Sequence, residues 1–139
     1  MGKPGWQYLQ SAAIPYLSGE NGFEIVLITN SKRTSWIYPK GIIESDMTPE
    51  ESAANEAWEE AGVTGTVDST LLDEYVYDKW DGICSVKVFP MLVDEVLEDW
   101  DEKGMRERVL VDFEEALRLI KPAQRKGLLA LASFLGLND

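Results

Sequence analysis

Three carboxylates, Glu56, Glu59 and Glu60, stand at positions i, i+3 and i+4. In a helix that spacing puts them on one face, within reach of a shared ligand. Local physics opposes the arrangement, because like charges at this spacing repel and carboxylates near a helix C-terminus face the wrong end of the macrodipole, each by roughly a few tenths of a kcal/mol. No lysine or arginine between Pro49 and Val67 offsets this. The opposite face, with Ala53, Ala54, Ala57, Trp58 and Ala61, is mostly small and apolar, as suits a helix packed closely on a sheet. A lone Glu-Glu pair reads as solvated surface. Here a glycine-bearing loop precedes a capped helix and Gly62 follows it directly, so the cluster reads as a functional site with a divalent cation as its compensation.

Composition removes the competing chemistries. The chain has no histidine and one cysteine, Cys84, which excludes Ser-His-Asp and Cys-His catalysis, an intrachain disulfide and thiolate zinc sites. A formal charge of -12 argues against general nucleic-acid binding, which neutralises phosphates with Lys and Arg, and suits hard cations instead. At 139 residues and 45% hydrophobic, the expectation is one domain over residues 1–139. Apolar runs such as Ile25 to Ile28 and Leu128 to Ala132 are too short to cross a bilayer, and Met1 to Gln10 lacks a secretory-leader pattern. The expectation is a cytoplasmic protein that does not engage the membrane.

Elements must position the cluster. Gln7 to Leu17 and Phe23 to Thr29, around the turn signal Ser18 to Gly22, predict a hairpin. A short strand at Trp36 to Tyr38 is broken by Pro39-Lys40-Gly41. Thr48 as N-cap, Pro49 at the first position and Glu51 completing a capping box predict a helix from about Pro49 to Ala61, ended by Gly62. Strands follow over Thr66 to Tyr77, Ser85 to Val96 and Arg108 to Val111, with a charged loop at Asp99 to Gly104. Helices at Phe113 to Ile120 and Ala123 to Leu135 close the chain. This order predicts helices on both faces of a mixed β-sheet, an α/β (α+β) fold of the α/β/α sandwich type. Trp36, Trp58 and Trp80 read as core residues rather than base-stacking platforms.

Gly41 to Val63 resembles the Nudix box, G-x5-E-x7-R-E-U-x-E-E-x-G-U with U aliphatic. Gly41, Glu56, Ala57, Glu59, Glu60, Gly62 and Val63 match it without insertion. Two positions depart: Met47 stands at the first glutamate and Asn55 at the arginine, which in the family is thought to steady the glutamate cluster. Val93 to Trp100 and Phe113 to Ala116 are similar to the diphosphoinositol polyphosphate phosphohydrolase branch, and the likeness breaks at Val109-Leu110, where a Glu-Trp pair is expected.

The resemblance implies a Nudix-like fold and hydrolysis of a phosphoanhydride bond. It implies that Glu56 and Glu60 hold Mg²⁺ or Mn²⁺, with Glu59 as a further ligand or water-orienting base and the Gly41 carbonyl completing the site. Hard cations held by carboxylates neutralise charge developing on phosphoryl oxygens and lower the pKa of bound water. Met47 reads as a loop methionine packing on the helix, with Glu44 or Asp46 as substitutes for the missing acid. Lys40, beside Gly41, is a candidate phosphate contact; Arg33 and Lys32 are weaker ones. Arg106 and Arg108 either reach substrate or pair with Glu107 and Asp101. The expected substrate is a small diphosphate: a nucleoside diphosphate derivative, a dinucleoside polyphosphate or an inositol pyrophosphate. Thirteen Lys and Arg against 25 Asp and Glu favour nucleotides. The rival reading is a non-catalytic module that binds a nucleotide or a protein, against which stands the retained Glu56-x-x-Glu59-Glu60. Either a monomer or a homodimer is compatible with the sequence.

Overall fold

The computed structural model describes residues 7–79 and 81–137; residues 1–6 and Trp80, used in the expectations above, lie outside them. β1 (Gln7–Gly19) is buried without interruption from Gln10 to Tyr16, a pattern that requires cover on both faces of the strand. Ala12, Ile14 and Tyr16 enter one core with Ile25 and Leu27 of β2 (Gly22–Thr29) and Val86 and Val88 of β7 (Gly82–Val96). α2 (Phe113–Leu119) and α3 (Arg125–Phe134) close this face with Ala116, Leu128 and Leu131. Ala13 points the other way, into a second core with Val26, Ile28, Phe89 and Met91, covered by Ala53, Ala57 and Ala61. The architecture is the expected α/β/α sandwich.

Among the described residues the remaining strands are β3 (Trp36–Ile37), β4 (Lys40–Ile42), β5 (Val63–Val67), β6 (Asp73–Lys79) and β8 (Arg108–Asp112). Together they form an eight-stranded sheet on the path β3-β2-β1-β7-β5, with β4, β6 and β8 added to β1, β7 and β2 respectively. β1 and β7 run parallel from Gln7 opposite Ile83 to Tyr16 opposite Leu92, while the remaining pairs are antiparallel, so the sheet is mixed. β1 and β2 form the expected hairpin, closed by Gly19 opposite Gly22. Among the described residues no helix is long and apolar enough to cross a membrane.

Four local expectations change. Pro39-Lys40-Gly41 does not simply break the chain: Lys40–Ile42 forms β4, paired with Gln10, Ser11 and Ala12, while the Pro39 carbonyl accepts from Ala13 N–H at 3.1 Å. The Thr66 to Tyr77 run divides into β5 and β6 at a turn where Asp68 Oδ1 accepts from Thr70 N–H and Oγ1 at 2.8 and 2.6 Å. A 3₁₀ turn at Pro122–Gln124 precedes α3. Trp58 is 47% exposed on the outer side of its helix, so it is not a core residue.

The helix after Thr48 starts as expected, with the capping box formed in both directions. α1 (Pro49–Glu56) then widens into a π turn over Ala57–Ala61. In a regular α-helix each four-residue step overshoots a full turn by about 40°. The wider turn absorbs that drift, so Ala53, Ala57 and Ala61 all stay fully buried on the sheet. Gly62 ends the turn in the left-handed conformation at φ 66°, with a Cβ there falling 2.6 Å from the Trp100 ring. Gly62→Ala is therefore expected to lose about 1–3 kcal/mol of unfolding free energy, from left-handed strain and the ring clash together. Urea denaturation measures the loss, and an unchanged midpoint would contradict this account of the helix end.

Candidate functional site

β4 and the end of the α1/π helix bring the carboxylates together. Gly41 passes so close to Glu56 that a Cβ on it would overlap the carboxyl group, so a larger residue there would have to displace the Glu56 side chain from this position. The Lys40 backbone N–H donates to Glu60 Oε1 at 3.2 Å. Glu60 is 7% exposed, and Glu56 lies half-buried beside it. Glu59 is turned partly away, because a three-residue step covers less angle in a π turn than in an α-helix; its Oε1 accepts from Asn55 Nδ2 at 3.3 Å. Asn55 thus holds Glu59, while Met47 lies with Ala54, Asn55 and Trp58 along a shallow outer groove.

Burial raises the Glu60 pKa to about 8; Arg106 opposes the rise, and Glu56 and Glu102 reinforce it. Burial likewise pushes Glu56 upward, aided by Glu59, Glu102 and Glu44. Two desolvated carboxyls of this kind are hard oxygen donors short of positive charge, which fits a divalent cation of the Mg²⁺ or Mn²⁺ type. Among the described residues no three acidic side chains form a ready-made cage, so the pair is what this conformation offers.

The cation that meets the pair is Arg106. Its Nη2 lies 3.6 Å from Glu60 Oε2, its Nε donates to Glu102 at 2.7 Å, and its Nη1 donates to the Thr29 carbonyl at 3.0 Å. Glu102, whose backbone N–H bonds the Glu59 carbonyl at 3.1 Å, is a site neighbour that sequence reasoning did not single out. Its signal was the i, i+4 spacing to Arg106. Arg108 instead donates to the Ala61 carbonyl at 2.9 Å and stacks 4.0 Å from the Trp100 ring centre, while Trp100 Nε1 donates to the Glu60 carbonyl at 3.1 Å. Arg108 therefore caps the helix end. Arg33 donates to the Gly104 carbonyl at 3.1 Å, bracing the loop that carries Arg106.

Lys40 links the pair to a cavity of about 380 Å³ on the α2/α3 side of the sheet. Its lining includes Lys32, Lys40, Lys79, Lys121, Tyr75 and Tyr77, and no acidic side chain among the described residues. In a chain with net charge -12, that concentration of lysine gives the hollow a basic lining. Gln124 orients one wall: its Oε1 accepts from Tyr38 N–H at 3.0 Å, so its Nε2 is left to donate to the Tyr75 hydroxyl at 3.2 Å.

The NUDIX domain family matches residues 8–131, and the chain belongs to that family. It is 39% identical over 101 residues to Nudix hydrolase 18, mitochondrial, of Arabidopsis thaliana, covering 68% of this chain and 54% of the relative. It is 29% identical over 117 residues to diphosphoinositol polyphosphate phosphohydrolase 2 of Rattus norvegicus, covering 82% of this chain and 64% of that one. The chain thus spans about half the length of the plant relative. Its fold superposes on a C. elegans Ap4A hydrolase binary complex with a TM-score of 0.77 at 19% identity, over 93% of this chain and 98% of that one.

The raised Glu60 pKa has a thermodynamic consequence. Between the ordinary value of 4.5 and about 8 the folded carboxyl keeps a proton that the unfolded one has released. In EDTA this group lowers stability as pH rises through that window, a slope that Glu60→Gln removes. A divalent cation held by the ionised pair would compete with that proton, so the gain in melting temperature on adding Mg²⁺ or Mn²⁺ is expected to grow with pH and to shrink in the variant. Thermal melts across the window check it, and a metal effect independent of both pH and Glu60 would contradict it.

Proposed function

We propose that the chain is a metal-dependent pyrophosphohydrolase that cleaves a phosphoanhydride bond in a small, highly phosphorylated molecule. The observation that carries this reading is the Glu56–Glu60 pair joined through Lys40 to a lysine-lined cavity with no acidic side chain among the described residues of its lining. Glu56 and Glu60 would hold Mg²⁺ or Mn²⁺, which when bound supplies charge neutralisation at the phosphoryl oxygens and acidifies water. Glu59, tethered by Asn55, would serve as a further ligand or as the base that takes a proton from the attacking water. Arg106 holds the Glu60 carboxylate from the side opposite the Lys40 backbone contact of the same group, keeping it oriented. The polyphosphate arm lies along Lys40, Lys32, Lys79 and Lys121.

Total charge favoured nucleotides in the sequence, but four of the 13 basic residues gather in one hollow. That grouping supports a substrate with several adjacent phosphates, whether a dinucleoside polyphosphate or an inositol pyrophosphate. Glu44, close enough to bear on the Glu56 carboxyl, is our candidate for the acid missing at Met47.

A panel of diadenosine polyphosphates, nucleoside diphosphate sugars and an inositol pyrophosphate, each with Mg²⁺ or Mn²⁺, tests the reading. Turnover is expected on the substrates richest in phosphate and is expected to fall by on the order of 10²–10⁴-fold in Glu60→Gln. Ligand binding without turnover across the panel would replace this reading with a non-catalytic module. Calorimetric Mg²⁺ binding addresses the substitute acid separately: Glu44→Gln is expected to weaken it and Asp46→Asn to leave it unchanged, and the reverse order would remove Glu44 from the site.

A further inference from the structure

Lys40 is held at both ends. Its backbone N–H donates to Glu60, and at the far end of the side chain its ammonium donates to the Tyr77 hydroxyl at 2.8 Å, lying 4.9 Å from the centre of that ring. An ammonium has donors only, so the Tyr77 oxygen must accept. The Tyr77 proton then has to go elsewhere, and Gln10 Oε1 receives it at 2.8 Å. Gln10 is 3% exposed and belongs to β1, the strand buried on both faces. The row Gln10, Tyr77, Lys40 thus has a single polarity, dictated by a buried amide at one end and a cation at the other.

The choice of a neutral partner is informative. Among the described residues the Lys40 head group meets a hydroxyl and a ring face rather than a carboxylate. A carboxylate would orient the lysine equally well, but it would also cancel the charge and compete with any anion entering the cavity. A hydroxyl orients it without itself cancelling the charge. Holding a long, flexible side chain in place beforehand also removes entropy it would otherwise lose on binding.

We propose that Tyr77, fixed by Gln10, is a positioning residue that holds the Lys40 ammonium in the cavity wall for a phosphoryl group of the ligand. The inference rests on the reading of the lysine-lined cavity as the polyphosphate side of the site. Tyr77 acts through Lys40 and contributes no contact of its own to the anion. The same row couples the cavity to the carboxylate pair, since the residue that Tyr77 anchors is the one whose backbone binds Glu60.

The test is calorimetric titration with inorganic tripolyphosphate in EDTA, where no turnover occurs, on the wild type, Tyr77→Phe, Lys40→Met and the double variant. Tyr77→Phe is expected to weaken binding about three- to ten-fold, the effect of losing one hydrogen bond. Lys40→Met is expected to weaken it further, and the double variant to bind no more weakly than Lys40→Met alone. Gln10→Leu, which leaves the tyrosine ring in place, is expected to shift affinity in the same direction as Tyr77→Phe. Unchanged affinity in Tyr77→Phe, or losses that add in the double variant, would overturn the positioning role while leaving the cavity reading intact. A wild-type chain that binds no tripolyphosphate would overturn the cavity reading and this inference together.

Discussion

Two carboxyl groups facing one another out of water set the terms for the rest of this molecule. Burying a carboxylate is costly unless it is protonated, hydrogen-bonded or paired, and burying two together adds their repulsion. Glu44, Glu59 and Glu102 add to that cost, and other neighbours offset it. Gly41 lets the β4 backbone approach without displacing the Glu56 carboxyl, and the Lys40 N–H meets Glu60. Arg106 supplies positive charge and is itself held by Glu102 and the Thr29 carbonyl. A divalent ion held by the pair would meet the remaining demand, at the place where the proposed chemistry would occur.

The helix end is built around the same demand. A helix that finishes in Glu59 and Glu60 with no basic residue in its last turn sets negative charge against its own C-terminal carbonyls. The correction comes from distant sequence: Arg108 donates to the Ala61 carbonyl, Trp100 to the Glu60 carbonyl, and Gly62 turns the chain tightly beneath the Trp100 ring. These contacts fold the segment after β7 across the helix end and carry Arg106 into position with it. One loop therefore caps the helix and supplies the cation of the site, which makes helix stability and site geometry inseparable here.

Sequence alone made the helix start legible, because a capping box is a local device whose partners lie three residues apart. It also made the pairing of Glu56 with Glu60 and the need for Gly41 legible through the box resemblance. The π turn was not readable: its cause is the requirement that Ala53, Ala57 and Ala61 all lie on the sheet, and that depends on a surface formed by other strands. β4 was hidden because Pro39 and Gly41 signal a break locally, while β1 has a free edge there that recruits the segment. Arg108 looked like a substrate contact only because the carbonyls it caps are far from it in the chain.

The least legible feature was the distribution of charge. Counting 13 basic against 25 acidic residues describes the whole surface and suggests a chain poorly suited to a polyphosphate. The fold draws Lys32 from the loop before β3, Lys40 from β4, Lys79 from β6 and Lys121 from the segment before α3 into one hollow with no described acid in its lining. In such a hollow the local field, not the net charge, would govern which anion binds. Lys40 belongs both to that hollow and, through its backbone, to the carboxylate pair. In the reading proposed above Lys40 is the junction between binding and chemistry, and it is kept in place by the half-buried Tyr77 of β6, whose hydroxyl donates to the buried Gln10 of the central strand.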